Sequence, residues 1–128
     1  MTMKAMDLVK EYLAEQGFRY EIDGDGDLHF RAEGVNLYCT DSGKDQQYFR
    51  IIMPNIYKIE NDRMKVLETV NRLSREYKVL KAFVTESDNL WLSIEMFLDS
   101  TPEVGEFMER CIDILLSARK DAAKYILE

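Results

Sequence analysis

Three aspartates at alternate positions, Asp23, Asp25 and Asp27, are the first group in this chain that could do chemistry, by chelating a calcium ion. The spacing argues against an EF-hand, which needs glycine at its sixth loop position and glutamate at its twelfth. Counted from Asp23, those positions hold Leu28 and Gly34. Asp23-Gly24-Asp25-Gly26-Asp27 reads instead as a turn between two alternating segments. Gly24 and Gly26 resemble part of a phosphate-binding loop, but a strand follows them rather than the helix such a loop requires.

The remaining reactive side chains do not converge. His29 is the sole histidine, and no cysteine stands at metal-ligand spacing from it. Cys39 and Cys111 both fall in apolar patterns and read as core thiols of a reducing compartment. Alternation points Cys39 away from the face that carries His29, which opposes a Cys–His nucleophile pair. The acid pairs Glu60 with Asp62, Glu86 with Asp88, and Glu103 with Glu106 fall at turns and helix starts, where carboxylates are structurally favoured. The expectation is therefore a non-enzymatic protein with no catalytic residue set, no cofactor and no metal site.

The elements that would position these groups follow from periodicity. Thr2 to Gln16 predicts a helix with Met6, Val9 and Leu13 on its apolar stripe, closed by Gly17. Strands are expected over Phe18–Ile22, Leu28–Ala32, Val35–Thr40 and Tyr48–Met53, the last ended by Pro54. A second helix spans Asn61 to Glu76, capped by Asn61 or Asp62. Its apolar face holds Val66, Leu67, Val70, Leu73 and Tyr77, and Asn71 is expected half-buried at that face's edge, bonded to neighbouring backbone. Strands Val79–Val84 and Leu90–Leu98 follow, joined by a turn at Ser87-Asp88-Asn89. Ser100 or Thr101 is expected to cap a third helix, with Pro102 in its first turn. Its stripe is Val104, Met108, Cys111, Leu115, Ala118 and Ala122, widened by Phe107, Ile112 and Leu116.

The order α-β-β-β-β-α-β-β-α predicts an α+β fold, with one twisted, mainly antiparallel sheet packed against helices on one face. The length of 128 residues fits a single domain, 1–128, and 46% hydrophobic residues suffice for a real core. Alternation sends Phe18, Tyr20, Ile22, Leu28, Phe30, Val35, Leu37, Cys39, Phe49, Ile51 and Met53 inward. Leu90, Leu92, Ile94, Met96 and Leu98 continue that set. The opposite face is mostly polar, but it also carries Tyr38, Tyr48, Ile52, Trp91 and Phe97, a candidate protein-binding surface.

With 24 acidic and 17 basic residues the net charge is −7, which opposes nucleic-acid binding. Apolar runs are too short to span a bilayer, and Lys4, Asp7 and Lys10 break up any leader-like stretch near the N-terminus. A cytoplasmic protein without membrane attachment is expected.

Three stretches carry a family resemblance: Phe18-Arg19-Tyr20-Glu21-Ile22-Asp23 with Gly26 and Phe30; Val70 to Ala82; and Leu90 to Leu98. Together with the element order they resemble the YbjN-like family, also known as bacterial sensory transduction regulators, whose fold is similar to the type III secretion chaperones. Asn71 matches a recurrent asparagine of that family's second helix. Ser74 and Arg75 stand where a second asparagine would be expected. The resemblance implies a twisted antiparallel sheet between helices, no enzymatic chemistry, and protein binding by analogy with small, acidic, often homodimeric chaperones.

The function expected is thus a cytosolic protein-interaction domain, chaperone-like or regulatory, that binds a protein partner. Self-association into a homodimer through the same residues is the second reading. A small-molecule sensor, with a pocket between helix 3 and the sheet lined by Met96, Met108 and Cys111, is the third, although core packing explains those residues better.

Overall fold

The computed structural model describes residues 5–40, 45, 47–99 and 103–128. Its elements are α1 (Ala5–Glu15), β1 (Tyr20–Ile22), β2 (Leu28–Ala32), β3 (Val35–Cys39), β4 (Tyr48–Lys58), α2 (Arg63–Glu76), β5 (Leu80–Val84), β6 (Asn89–Phe97) and α3 (Val104–Leu127). The strands form one antiparallel sheet in the order β1-β2-β3-β4-β6-β5. The element order and fold class therefore follow the sequence reading.

The aspartate run is a turn. The Asp23 carboxylate accepts from the backbone N–H of Asp25 at 2.9 Å and of Asp27 at 3.0 Å, and Gly26 takes a positive φ of 85°. α1 ends as its sequence requires: Gly17 lies at φ 81°, where glycine has no Cβ to clash, and the Phe18 N–H returns to the Leu13 carbonyl. Phe18 then packs edge-on against Phe30.

All three helices meet the same face of the sheet. One apolar cluster unites Val9 and Leu13 of α1, Val66 and Leu73 of α2, and Met108, Leu115 and Ala118 of α3 with the inward residues of β2 to β6. The helices do not flank the sheet on both sides, as the family resemblance implied. The inward stripe predicted for α3 is buried throughout. At the far end of α3, Tyr125 donates to Glu76 of α2 at 2.6 Å, and the Arg72 guanidinium stacks 3.5 Å above its ring. Donation to that carboxylate pushes the Tyr125 phenol up to about 12.

Several boundaries differ from expectation. Pro54 does not end β4, because the register shifts between Met53 and Tyr57 and the strand continues to Lys58. A proline is tolerated where a bulge removes its ladder bond. Asp62 is the N-cap of α2, but its carboxylate takes the Tyr57 hydroxyl and the Glu60 N–H instead of capping. Ser100, Thr101 and Pro102 lie outside the described residues, and the N-cap position of α3 is Glu103.

Burial corrects the sequence reading at three places. Tyr20 and Ile22, placed inward by alternation, are exposed because β1 is a three-residue edge strand. Leu67 is exposed because the buried stripe of α2 is narrow, Val66, Thr69 and Leu73. Asn71 shares that solvent-facing flank and is exposed rather than half-buried.

Candidate functional site

The outer sheet face bears the five residues singled out for partner binding, and the strand register fixes their neighbours. Tyr38 pairs with Ile52, Ile52 with Ser93, and Ser93 with Lys81, forming one row across β3, β4, β6 and β5. Tyr48 pairs with Phe97 in the next-but-one row, their rings edge-on with centroids 6.4 Å apart. Between those rows Arg50 pairs with Glu95. None of the five joins the helix-covered core cluster.

Their exposure is unequal. Phe97 is 82% exposed, the most exposed aromatic among the described residues. Ile52 is only 7% exposed, since it sits in the middle of the sheet between Tyr38 and Ser93. Tyr38, Tyr48 and Trp91 are half-buried. Tyr38 stacks on His29 at 4.7 Å, and His29 and Arg31 both reach the Asn36 side-chain oxygen. Trp91 leans toward Phe83 and donates its indole N–H to Asn55 at 3.0 Å. Asn55 lies in the β4 bulge at φ 54°, a conformation asparagine tolerates, so the bulge aims its amide at the tryptophan.

A polar network that the sequence reading missed occupies the middle of this face. Both oxygens of Glu95 are engaged: Tyr48 donates to one, while Ser93 at 3.0 Å and Lys81 at 3.3 Å reach the other. Burial pushes the Glu95 carboxyl up, but these hydrogen bonds outweigh it and hold the group below its ordinary range. Burial and the bond to Glu95 push the Tyr48 phenol up. The network was not legible in advance because it joins residues from three strands whose register the sequence does not state.

A second missed feature adjoins Phe97. Where β6 ends and α3 begins, a hollow of about 650 Å³ opens to solvent. Met96, Leu98 and Phe107 contribute its apolar lining, and Asp99, Glu103, Glu106 and Arg110 contribute its charged lining. Phe107 is anchored edge-on against Phe49 of the core, 5.2 Å between centroids. The nearby Glu103 carboxylate pushes Glu106 up.

Of the three residues expected to line a pocket between helix 3 and the sheet, Met96 borders the hollow, whereas Met108 and Cys111 are buried in the packed core. Burial pushes both thiols up, Cys111 to about 11, which leaves them protonated and poorly nucleophilic at neutral pH. His29 lies on the outer face and Cys39 in the core, so the two do not meet.

The sequence profile of the YbjN family, described as "Putative bacterial sensory transduction regulator", matches residues 5–119. The chain belongs to the YbjN family. No curated protein sequence matches it. Among solved structures, YbjN from E. coli superposes with a TM-score of 0.72 at 12% identity, over 98% of this chain and 96% of that one. An uncharacterised protein from Methanothermobacter thermautotrophicus gives 0.62 at 16% identity, over 95% and 96%. The Yersinia pestis type III secretion chaperone SycH, solved in complex with a stable fragment of YscM2, gives 0.57 at 13% identity, over 93% and 97%. At these identities the YbjN and chaperone structures establish a shared fold. Among the described residues, no helix is long and apolar enough to cross a membrane.

Proposed function

We propose that this YbjN-family chain is a non-enzymatic protein-interaction domain of the cytoplasm, regulatory or chaperone-like, that docks a segment of a partner protein on its outer sheet face. The observation that carries this reading is Phe97, a phenylalanine left in water on a face that none of the described helices covers, with Tyr48 beside it. Tyr38 and Trp91 widen the surface, and Ile52 stiffens it from below rather than offering contact area. Large aromatics held by their own hydrogen bonds lose little freedom on binding, which suits them as anchors. The chaperone neighbour was solved holding a fragment of another protein, which supports this use of the shared fold.

The test is quantitative capture of partners from native lysate by the natural chain, Phe97→Ser and Trp91→Ala. A hot-spot aromatic contributes about 2 kcal/mol or more, so each variant should retain under about a tenth of the partner signal while melting normally. Equal recovery by all three proteins refutes the docking face.

A specific observation also favours self-association, through a different surface from the one expected. Met64 and Leu67, 69% and 42% exposed, lie on the flank of α2 opposite the Arg72 and Glu76 contacts with α3. Val79, also exposed and at φ 59°, follows directly before β5, which is a free sheet edge. Edge pairing of β5 with its copy about Ala82 sets Lys81 opposite Phe83 and avoids opposing like charges. Sedimentation should show a dimer for the natural chain and a monomer for Met64→Glu/Leu67→Glu. A natural chain that stays monomeric at high concentration removes this reading.

A further inference from the structure

Phe97 and its hollow carry information about the partner's chemistry. A few acids elsewhere on this chain are matched, Asp88 with Arg63, Glu76 with Arg72 and Glu95 with Lys81; most, like those at the hollow, are spread over the surface without an ion pair among the described residues. Asp99, Glu103 and Glu106, gathered at the hollow, enter no ion pair among the described residues. Among the described residues, Arg110 is the one cation that lines it with them. The helix dipole accounts for an acid in the first turn of α3. It does not account for two carboxylates so close that one disfavours ionisation of the other. Nor does it account for an exposed phenylalanine alongside them.

Resting on the protein-interaction reading above, we propose that the hollow receives a basic and apolar partner segment. A bulky apolar side chain sits against Phe97 and Phe107, and flanking lysine or arginine side chains meet Asp99, Glu103 and Glu106. Apolar contact supplies most of the affinity, and charge supplies selection and steering. The net charge of −7 acts in the same direction at longer range. An acidic segment of equal hydrophobicity is rejected, because its carboxylates would be buried against three others.

Fluorescence anisotropy with labelled synthetic peptides of about ten residues tests this. One alternates leucine with lysine, a second replaces each lysine by glutamate, and a third replaces each leucine by serine. The leucine–lysine peptide should bind, and the other two should bind at least about tenfold more weakly. Phe97→Ser should weaken the first peptide by about tenfold. Glu103→Gln/Glu106→Gln should weaken it by about fivefold in about 50 mM salt and much less in about 500 mM. Glu68→Gln/Glu86→Gln removes the same charge far from the hollow and should leave binding within about twofold.

Four results overturn the proposal: no binding of the leucine–lysine peptide, equal binding of the glutamate peptide, indifference to Phe97→Ser, or equal loss in the Glu68/Glu86 control. The broader reading fails separately. If native partners are captured in a Phe97-dependent way while the peptides show no preference for lysine, the charge assignment falls and the docking face stands. If capture ignores Phe97 and Trp91, the docking face itself falls.

Discussion

Ile94→Ala lowers the unfolding free energy by about 3 kcal/mol, within the range for removing a large aliphatic side chain from a packed core. Ile94 is wholly buried in β6, paired with Ile51 on one neighbouring strand and Leu80 on the other. Its flanks are held by strand pairing and its inward side by the helix layer, so the vacated space collapses poorly and the cavity cost adds to the transfer cost. Phe97→Ala, three residues along the same strand but on the open face, should cost under about 1 kcal/mol, the loss of strand propensity alone. Urea unfolding with a shared m-value separates the two. Equal losses would mean that the sheet does not have one packed and one open side, and the docking face would lose its structural basis.

That contrast also marks what could be read from sequence. The β1–β2 turn, the alternation of β2, β3 and β6, and the long stripe of α3 were legible because each depends on neighbours within a few residues. Asp23 folds back onto the next backbone amides, and Val104, Met108, Cys111 and Leu115 repeat on one helical face. Tyr20 and Ile22 misled because alternation gives a face, not what covers it; they belong to a short edge strand that the helices leave uncovered. Leu67 misled for the same reason on α2, where the buried stripe excludes it. Pro54 misled because a bulge changes what a proline costs a strand.

The candidate site divides along the same line. All five of its residues were assigned to one face by period-two alternation, and the register keeps them there. Their separate roles were hidden, because Ile52 is buried by its position in the middle of the sheet and Trp91 is held by an asparagine from the β4 bulge. The hollow was hidden as well. Glu103 and Glu106 read as ordinary acids at a helix start, and only the close approach of β6 to α3 puts Phe97, Phe107 and Arg110 beside them.

Glu95→Leu should cost about 2 to 3 kcal/mol at neutral pH, far more than an ordinary surface substitution. The Ser93 hydroxyl is fully buried and donates to Glu95, so the leucine variant leaves a buried donor without its acceptor. Tyr48 loses its acceptor in the same step. The bond to Lys81, a largely exposed side chain, adds little. The acid response follows from the same geometry. The folded-state pKa of Glu95 lies below its unfolded value, so the stability it contributes is present above about pH 4.3 and is lost as pH falls through the folded value. Glu76 and Asp62, held below their ordinary values by donors from Tyr125 and Tyr57 respectively, act in the same direction. Glu106 is shifted upward and acts in the opposite one. Glu95→Gln keeps the side chain's size and an acceptor oxygen but has no charge to titrate. Its urea midpoint should therefore fall less than that of the natural chain between pH 7 and about pH 3. Parallel falls would show that Glu95 is ionised equally in the folded and unfolded chain, and that the Tyr48, Ser93 and Lys81 bonds do not hold its charge.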